Sequence, residues 1–350
     1  MKKFKFVIIC GLIFILIGAV VTGAAYQYGR SYPPESPILE TYAQNFDIDA
    51  TNYINISNIE ADIYIERGER FSVVAENMSK EHLVCEMENN NLVIRMQKDR
   101  AWFNIGFIKF SANDLFNPTS TFSEDWTWGD SSKIYIYIPE GARFNEVSIF
   151  GNLGNITAGG IECDSLYIGG NFGNIKADGI VCDDLFIDGS VGNISIDNFS
   201  ADTVELNGGL GNADLTGTVG YGGVTIGERV GNTTLSLTET ADCDINIYGG
   251  MGNINVNAKV NGNVELNGGV GNLKWDGAIN GDVSLEGGMG DVNLNLAGNL
   301  DDYNIYASKG LGSIRLNGTS VEDNYNQSEP TVKNNIEIRG GVGDVKLNIK

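Results

Sequence analysis

Histidine is nearly missing from this sequence: His82 is the single one in 350 residues. Ser-His-Asp catalysis, Cys-His catalysis and His-rich zinc sites therefore have one place to begin, and most familiar hydrolases are disfavoured. Positive charge is scarce too, with 23 Lys and Arg against 45 Asp and Glu and a net charge of -22. Such a chain repels phosphate backbones and anionic lipid, so no nucleic-acid partner is expected. Proline is limited to 6 residues, which with 46 glycines and no Gly-X-Y period excludes collagen. A hydrophobic share of 42% excludes general disorder.

Long apolar runs are also rare, and the one present lies at the N-terminus. Lys2, Lys3 and Lys5 precede an uncharged stretch over residues 6–25, close to the ~20 residues needed to cross hydrocarbon. Residues 1–26 are expected to form a transmembrane helix with the N-terminus cytoplasmic and the rest of the chain outside. The partner of residues 6–25 is then the cytoplasmic membrane. The alternative is a cleaved signal peptide and a secreted protein, since Gly23 and Ala25 are small enough for a peptidase. A cleavable core is usually shorter, which favours the anchor. Cys10 follows the large Ile9 and does not fit a lipoprotein acylation site. Residues 27–45, with Pro33, Pro34 and Pro37, read as an extended spacer.

Self-similarity dominates residues 141–350. The unit is apolar-x-apolar, a glycine-rich turn, one apolar residue, Gly-Asn, and apolar-x-apolar again, as in LYIGGNFGNIKA and VELNGGVGNLKW. Its turn glycines are Gly154, Gly173, Gly192, Gly211, Gly231, Gly252, Gly271, Gly290, Gly312 and Gly343. Most are 19 to 22 residues apart, and the last interval is 31. Polar and apolar residues alternate on either side of the turn, the period of a strand with one buried face. Segments this short cannot stand alone, but a repeat near twenty residues lets each lap lie on the next at ~4.8 Å. The expected fold is all-β: a single-stranded parallel β-solenoid, or β-helix, of about ten coils of ~20 residues, a rod of roughly 50 Å following the transmembrane helix.

In the coil around Gly211, Val204, Leu206, Leu210, Leu215 and Val219 are expected inside, and Glu205, Asn207, Asp214 and Thr218 outside. Glycine at a stacked corner supplies free φ and leaves room for the adjacent lap. The apolar residue before each turn glycine, from Leu153 and Phe172 to Leu311 and Val342, is expected to plug the core at that corner. Asn155, Asn174, Asn193, Asn212, Asn232, Asn253 and Asn272 follow the glycines and predict an asparagine ladder between coils. Asp291, Ser313 and Asp344 replace asparagine later, and Glu228 and Lys309 interrupt the glycines, so the last laps are expected to be less regular.

Residues 46–140 also alternate as strands and form a β-rich lead-in. The order ADIYIERGERFSVVAEN, NNNLVIRM, IYIYIPEGARFNEVSIFGNLGNITA and then the iterated Gly-Asn unit resembles the DUF4097 family of β-strand-repeat proteins. The resemblance runs from residue 46 to 350. It implies a β-solenoid of the bacterial cell envelope, often given the label of candidate adhesin, in some cases membrane-anchored or linked to envelope-stress operons. It brings no catalytic residues and no cofactor. Residues 101–130 depart from the pattern as an aromatic insertion, in which Trp102, Phe107, Phe116, Trp126 and Trp128 are candidates for partner binding. The same residues could simply cap the open end of the rod, and the cap is the favoured expectation.

Other chemistry fits less well. GGMGDVNLN resembles a calcium-roll unit, but the period is about twenty rather than nine and an apolar residue stands where the ligand Asp belongs. A phosphate loop would occur once, before a helix. Asp183 with Asp184, or with Asp164, could support polysaccharide cleavage, but no Arg or His is expected to converge on them. Cys163 and Cys182 occupy matching positions and are expected as stacked buried thiols, while Cys85 and Cys243 read as core residues. Residues 317–334 form a polar excursion, and the chain stops at Lys350 on a strand expected to leave an uncovered edge.

These features point to a non-enzymatic, extracellular, membrane-anchored binding or scaffold protein with an envelope protein or a glycan as partner. The alternatives are an accessory protein of an envelope-stress signalling system and a polysaccharide-cleaving solenoid.

Overall fold

The computed structural model describes residues 39–79, 82–97, 102–105, 108–111, 132–189 and 191–350. The expected membrane anchor and most of the spacer lie outside the described residues. Among those described, no helix is long and apolar enough to cross a membrane. Regular structure there is β-strand apart from one 3₁₀ turn, Leu300–Asp302.

Alternation builds the core. Ile149, Ile168, Ile187, Leu206 and Ile226 are paired lap over lap in parallel register, each fully or almost fully buried. Beyond the turn, Ile156, Ile175, Ile194 and Ala213 form a second buried column. Each Leu or Ile so buried contributes about 1.5–3 kcal/mol, which a lone four-residue strand could not collect. One lap therefore stabilises the next, and inward columns must match in size and register. Trp275 is the largest of the fully buried side chains and occupies such a column between Val256 and Leu294.

Both ends depart from simple sequence order. The lap Tyr53–Glu60 with Asp62–Arg67 lies between two others: Asn91–Met96 with Lys133–Ile138 on one side, Phe144–Leu153 with Ile156–Gly159 on the other. Antiparallel strands Leu39–Asn45, Ser72–Ser79 and Leu83–Glu88 close that end. At the far end, Asn334–Arg339 and Val345–Ile349 are inserted between the lap of Val283–Glu286 and Val292–Leu296 and that of Tyr303–Ser308 and Ile314–Leu316. The last lap in sequence is thus not the last in space.

This corrects the expected uncovered edge at Lys350. Ile349 is interior to the sheet, and the outermost lap is Tyr303–Leu316, flanked by antiparallel Thr319–Ser320 and Tyr325–Gln327. The polar excursion 317–334 supplies those flanking strands and then returns the chain to the gap. The lead-in shares the same sheet as the repeats. Trp102–Ile105 and Ile108–Ser111 pair as a separate antiparallel hairpin. Phe107, Phe116, Trp126 and Trp128 lie outside the described residues.

Because the final lap is internal, removing it should do more than shorten the rod. A chain ending at Lys333 should lose about 100-fold or more of amide protection in Tyr303–Ser308, while Ile194–Asn207 keeps its protection in hydrogen exchange. Unchanged protection of Tyr303–Ser308 would contradict the insertion.

Candidate functional site

The repeated corner is where sequence, packing and surface meet. A Cβ on Gly192 would overlap the carbonyl oxygen of Gly173, and one on Gly173 would overlap that of Gly154. The same relation continues through Gly211, Gly231, Gly252, Gly271 and Gly290, then Gly343 over Gly290 and Gly312 over Gly343. At Gly211 a φ of +132° adds a second requirement for glycine.

The asparagines form a directional ladder. The backbone N–H of Asn174 donates to Oδ1 of Asn155 at 3.0 Å, Asn193 to Asn174 at 2.9 Å, and Asn212 to Asn193 at 3.0 Å. Asn232, Asn253 and Asn272 continue it at 3.0, 2.9 and 3.0 Å. It begins on Asp62, which accepts from Asn155 at 2.7 Å. Asp291 donates to Asn272, Asp344 to Asp291, and Ser313 to Asp344. The corner needs an acceptor oxygen, which Asn and Asp both provide. Ser313 ends the series and needs only to donate. The expected irregularity of the last laps is therefore absent from this ladder; the long sequence intervals reflect chain threading.

The expected core plugs are not in the core. Leu153, Phe172, Val191, Leu210, Val230, Met251, Val270, Met289, Val342 and Leu311 are exposed, from 39% at Leu153 to 87% at Leu311. Their backbones bridge from lap to lap, as Phe172 to Val191 and Val191 to Leu210. At the apex of a convex turn those bonds take the directions along the rod, and the side chain points out. Val204, Leu206, Leu215 and Val219 are buried, whereas Leu210 is outside.

Carboxylates line other faces. Arg143 holds Asp164 at 2.8 Å and Asp183 at 3.4 Å, so an arginine does converge there, contrary to the sequence-based expectation. All three are about half exposed, an arrangement that offsets part of the negative charge of a surface column. Asp184 is 3.5 Å from Ser165 Oγ. A second ladder was missed: Asn263 N–H donates to Asp244, Asp282 to Asn263, and Asn335 to Asp282, at 2.6, 3.1 and 2.8 Å. The repeated NGN and NGD turns carry its signal. A trough of about 530 Å³ runs beside it, lined by Asp244, Asn263, Glu265, Asp282, Tyr306 and Asn335. Tyr64 and Tyr135 were also missed: their rings stack in register near the closed N-terminal end, with Tyr137 beside Tyr135 on the same strand.

Cys163, Cys182 and Cys243 are buried free thiols, and Cys85 is partly buried. Burial, then Asp183, pushes the Cys182 thiol up to about 12; burial and then Cys182 raise that of Cys163. Arg229 replaces a corner glycine and is buried, donating to the carbonyls of Gly208 and Gly211 at 2.7 and 3.1 Å. Desolvation lowers its pKa. Among the described residues no group of three or more His, Cys, Asp or Glu side chains is placed to hold a metal ion.

The family described as Toastrack DUF4097 matches residues 51–348. A solved structure of a candidate adhesin from Bacteroides fragilis is similar at 15% identity and TM-score 0.39, covering 89% of this chain and 98% of that one. A candidate cell adhesion protein from Clostridium sporogenes is similar at 16% identity and TM-score 0.22, covering 89% and 100%. A candidate adhesin from Parabacteroides merdae is similar at 14% identity and TM-score 0.32, covering 73% and 95%. Among curated proteins none matches the chain.

Two substitutions separate conformation from contact. Gly211→Ala meets both a positive φ and the carbonyl of Gly192, and should cost at least about 3 kcal/mol in urea unfolding. Gly208→Ala has φ +52° and open space, and should cost about 1 kcal/mol. The backbone and hydroxyl donors of Ser313 hold the Asp344 carboxyl below its ordinary 3.8. Its contribution is then full above about pH 4 and is lost as pH falls through the lower folded value. Asp344→Asn keeps an acceptor but cannot ionise; it should melt slightly below the parent at pH 7, and the difference should shrink as pH falls below about 4.

Proposed function

This chain belongs to the Toastrack DUF4097 family, and on that footing we propose that it is a non-enzymatic, adhesin-like binding rod held outside the cytoplasmic membrane by residues 1–26. The observation that supports this reading most is the in-register repetition of surface columns. Each outward position is presented again at every lap, about 4.8 Å further along a rigid core. Such a surface suits a long or repetitive partner, where many weak contacts add through high effective concentration.

The trough along Asp244, Asn263, Asp282 and Asn335 is rich in acceptor oxygens and carries the partly exposed Tyr306. Acceptors in a row and one aromatic edge suit the hydroxyl groups and apolar faces of a glycan chain. An anchored helix and the spacer 27–45 would hold this surface away from the bilayer. The acidic rod, at net charge -22, is repelled by anionic lipid and would stand off it.

The reading is tested on the full chain in two ways. Exposed Glu239→Cys should react with a membrane-impermeant maleimide in intact cells, and labelling only after lysis would refute outward display. On a panel of polysaccharides, the parent chain should retain at least one glycan without releasing products, and Asp282→Ala with Tyr306→Ala should weaken retention by about tenfold. Product release, or retention unchanged in the double variant, would refute this account of the trough.

A further inference from the structure

The uncovered apolar ridge is the least expected feature of this surface. Its order in space is Leu153, Phe172, Val191, Leu210, Val230, Met251, Val270, Met289, Val342, Leu311, following the lap order established by the strand pairings. Gly208–Gly209, Gly249–Gly250, Gly268–Gly269, Gly287–Gly288 and Gly340–Gly341 precede it, so no side chain shields that flank at those laps. Ten large side chains, from 39% to 87% exposed, leave on the order of 800 Å² of apolar surface in one line. The largest apolar patch of an ordinary monomer is roughly 300–600 Å².

We propose that this ridge is the interface of a parallel homodimer, in which two copies of the chain lie side by side with corresponding laps level. Three observations lead to this partner. The ridge repeats at lap spacing, about 4.8 Å, and a second copy offers the same period in register along the whole length. Covering the ridge on both copies removes roughly 1,600 Å², the usual size of a specific interface. The third is charge. The outward columns on the strand entering the corner carry Asp188, Glu205, Glu265, Glu286 and Glu337, with Arg339 paired to Glu337. On the strand leaving it, the column beside the corner carries Lys176, Lys274, Lys346 and Arg315 with Asp214, and the next outward column carries Asp178, Asp197 and Asp276, so this flank is close to neutral where the entering flank is net negative.

This asymmetry selects the orientation. A two-fold axis along the rods places the acidic flank of one copy against the near-neutral, lysine-bearing flank of its partner. A two-fold axis across the rods places acidic against acidic. In a chain of net charge -22 the first arrangement confines repulsion to the faces pointing away from the partner. It also brings both copies of Leu39–Asn45 to one end. Glu265 and Glu337 of the acidic flank also line the trough assigned to glycan, so the partner copy would border that trough, while cross-linking through the ridge is read without any glycan.

The test uses the full chain in mild detergent, oxidised with copper phenanthroline and run without reductant. With the axis along the ridge, each ridge residue faces its own counterpart. Leu153→Cys and Leu311→Cys, at opposite ends, should each give a disulfide-linked dimer at least tenfold above the parent chain and above Asn257→Cys on another face. Differently tagged Leu153→Cys and Leu311→Cys chains, when mixed, should not cross-link to each other. Dimers found only in that mixture would show antiparallel packing and overturn the proposal, as would ridge variants no more reactive than Asn257→Cys. The pair Met251→Lys and Met289→Lys alters exposed side chains only. It should raise the dimer dissociation constant at least tenfold in sedimentation with an unchanged far-UV spectrum, and a dimer that persists in it would also overturn the proposal.

Discussion

The structure depends on backbone lying directly over backbone at one corner of every lap. At that point a carbonyl oxygen occupies the space a Cβ would need, so each turn residue from Gly173 onward is answerable to the lap beneath it. Short strands on either side gain their burial only if the corners stack. The Asn and Asp ladder then fixes the height of each lap by giving the backbone N–H beside the glycine an acceptor from the previous one. Steric exclusion and a directional hydrogen bond thus set the same spacing.

That constraint also creates the surface. A convex corner whose main chain is bonded along the rod leaves a side chain no inward path. The apolar residue before each glycine is therefore outside, although neighbouring apolar residues at strand positions are buried. The rod carries its hydrophobic groups in two populations: columns that hold laps together and a line that holds nothing within the chain. The charged columns beside that line differ: the strand entering the corner is net acidic, and on the strand leaving it Lys176, Lys274, Lys346 and Arg315 offset the carboxylates.

Closure of the ends follows a different physical requirement. A stack of parallel strands has two edges with unpaired backbone groups, which attract further strands. Here the flanking antiparallel strands are drawn from within the chain, before the first Gly-Asn lap and from residues 317–334. Returning from these strands, the chain enters the stack one level in rather than at its end. At the far end the lap that arrives last is thereby paired on both sides.

The all-β class, the parallel repeat, the inward columns and the asparagine positions were legible in the sequence. Each rests on local period, and period survives without coordinates: Val204 and Leu206 alternate with polar neighbours, and glycine recurs at one phase. The lap order was not legible, because the units around Gly290, Gly312 and Gly343 carry interchangeable edges and no local feature states which lies next to which. The outward direction of Leu210 and its equivalents was hidden for a related reason. Residue type reports what a side chain would gain by burial, whereas curvature of the main chain at the corner decides whether it can be buried. The second ladder through Asn263 and Asp282, and the meeting of Arg143 with Asp164 and Asp183, likewise arise from stacking distant residues at a common height. Sequence determined the repeating element and its core; tertiary structure decided the order of the elements and the face each apolar side chain presents, because both depend on contacts between laps rather than within one.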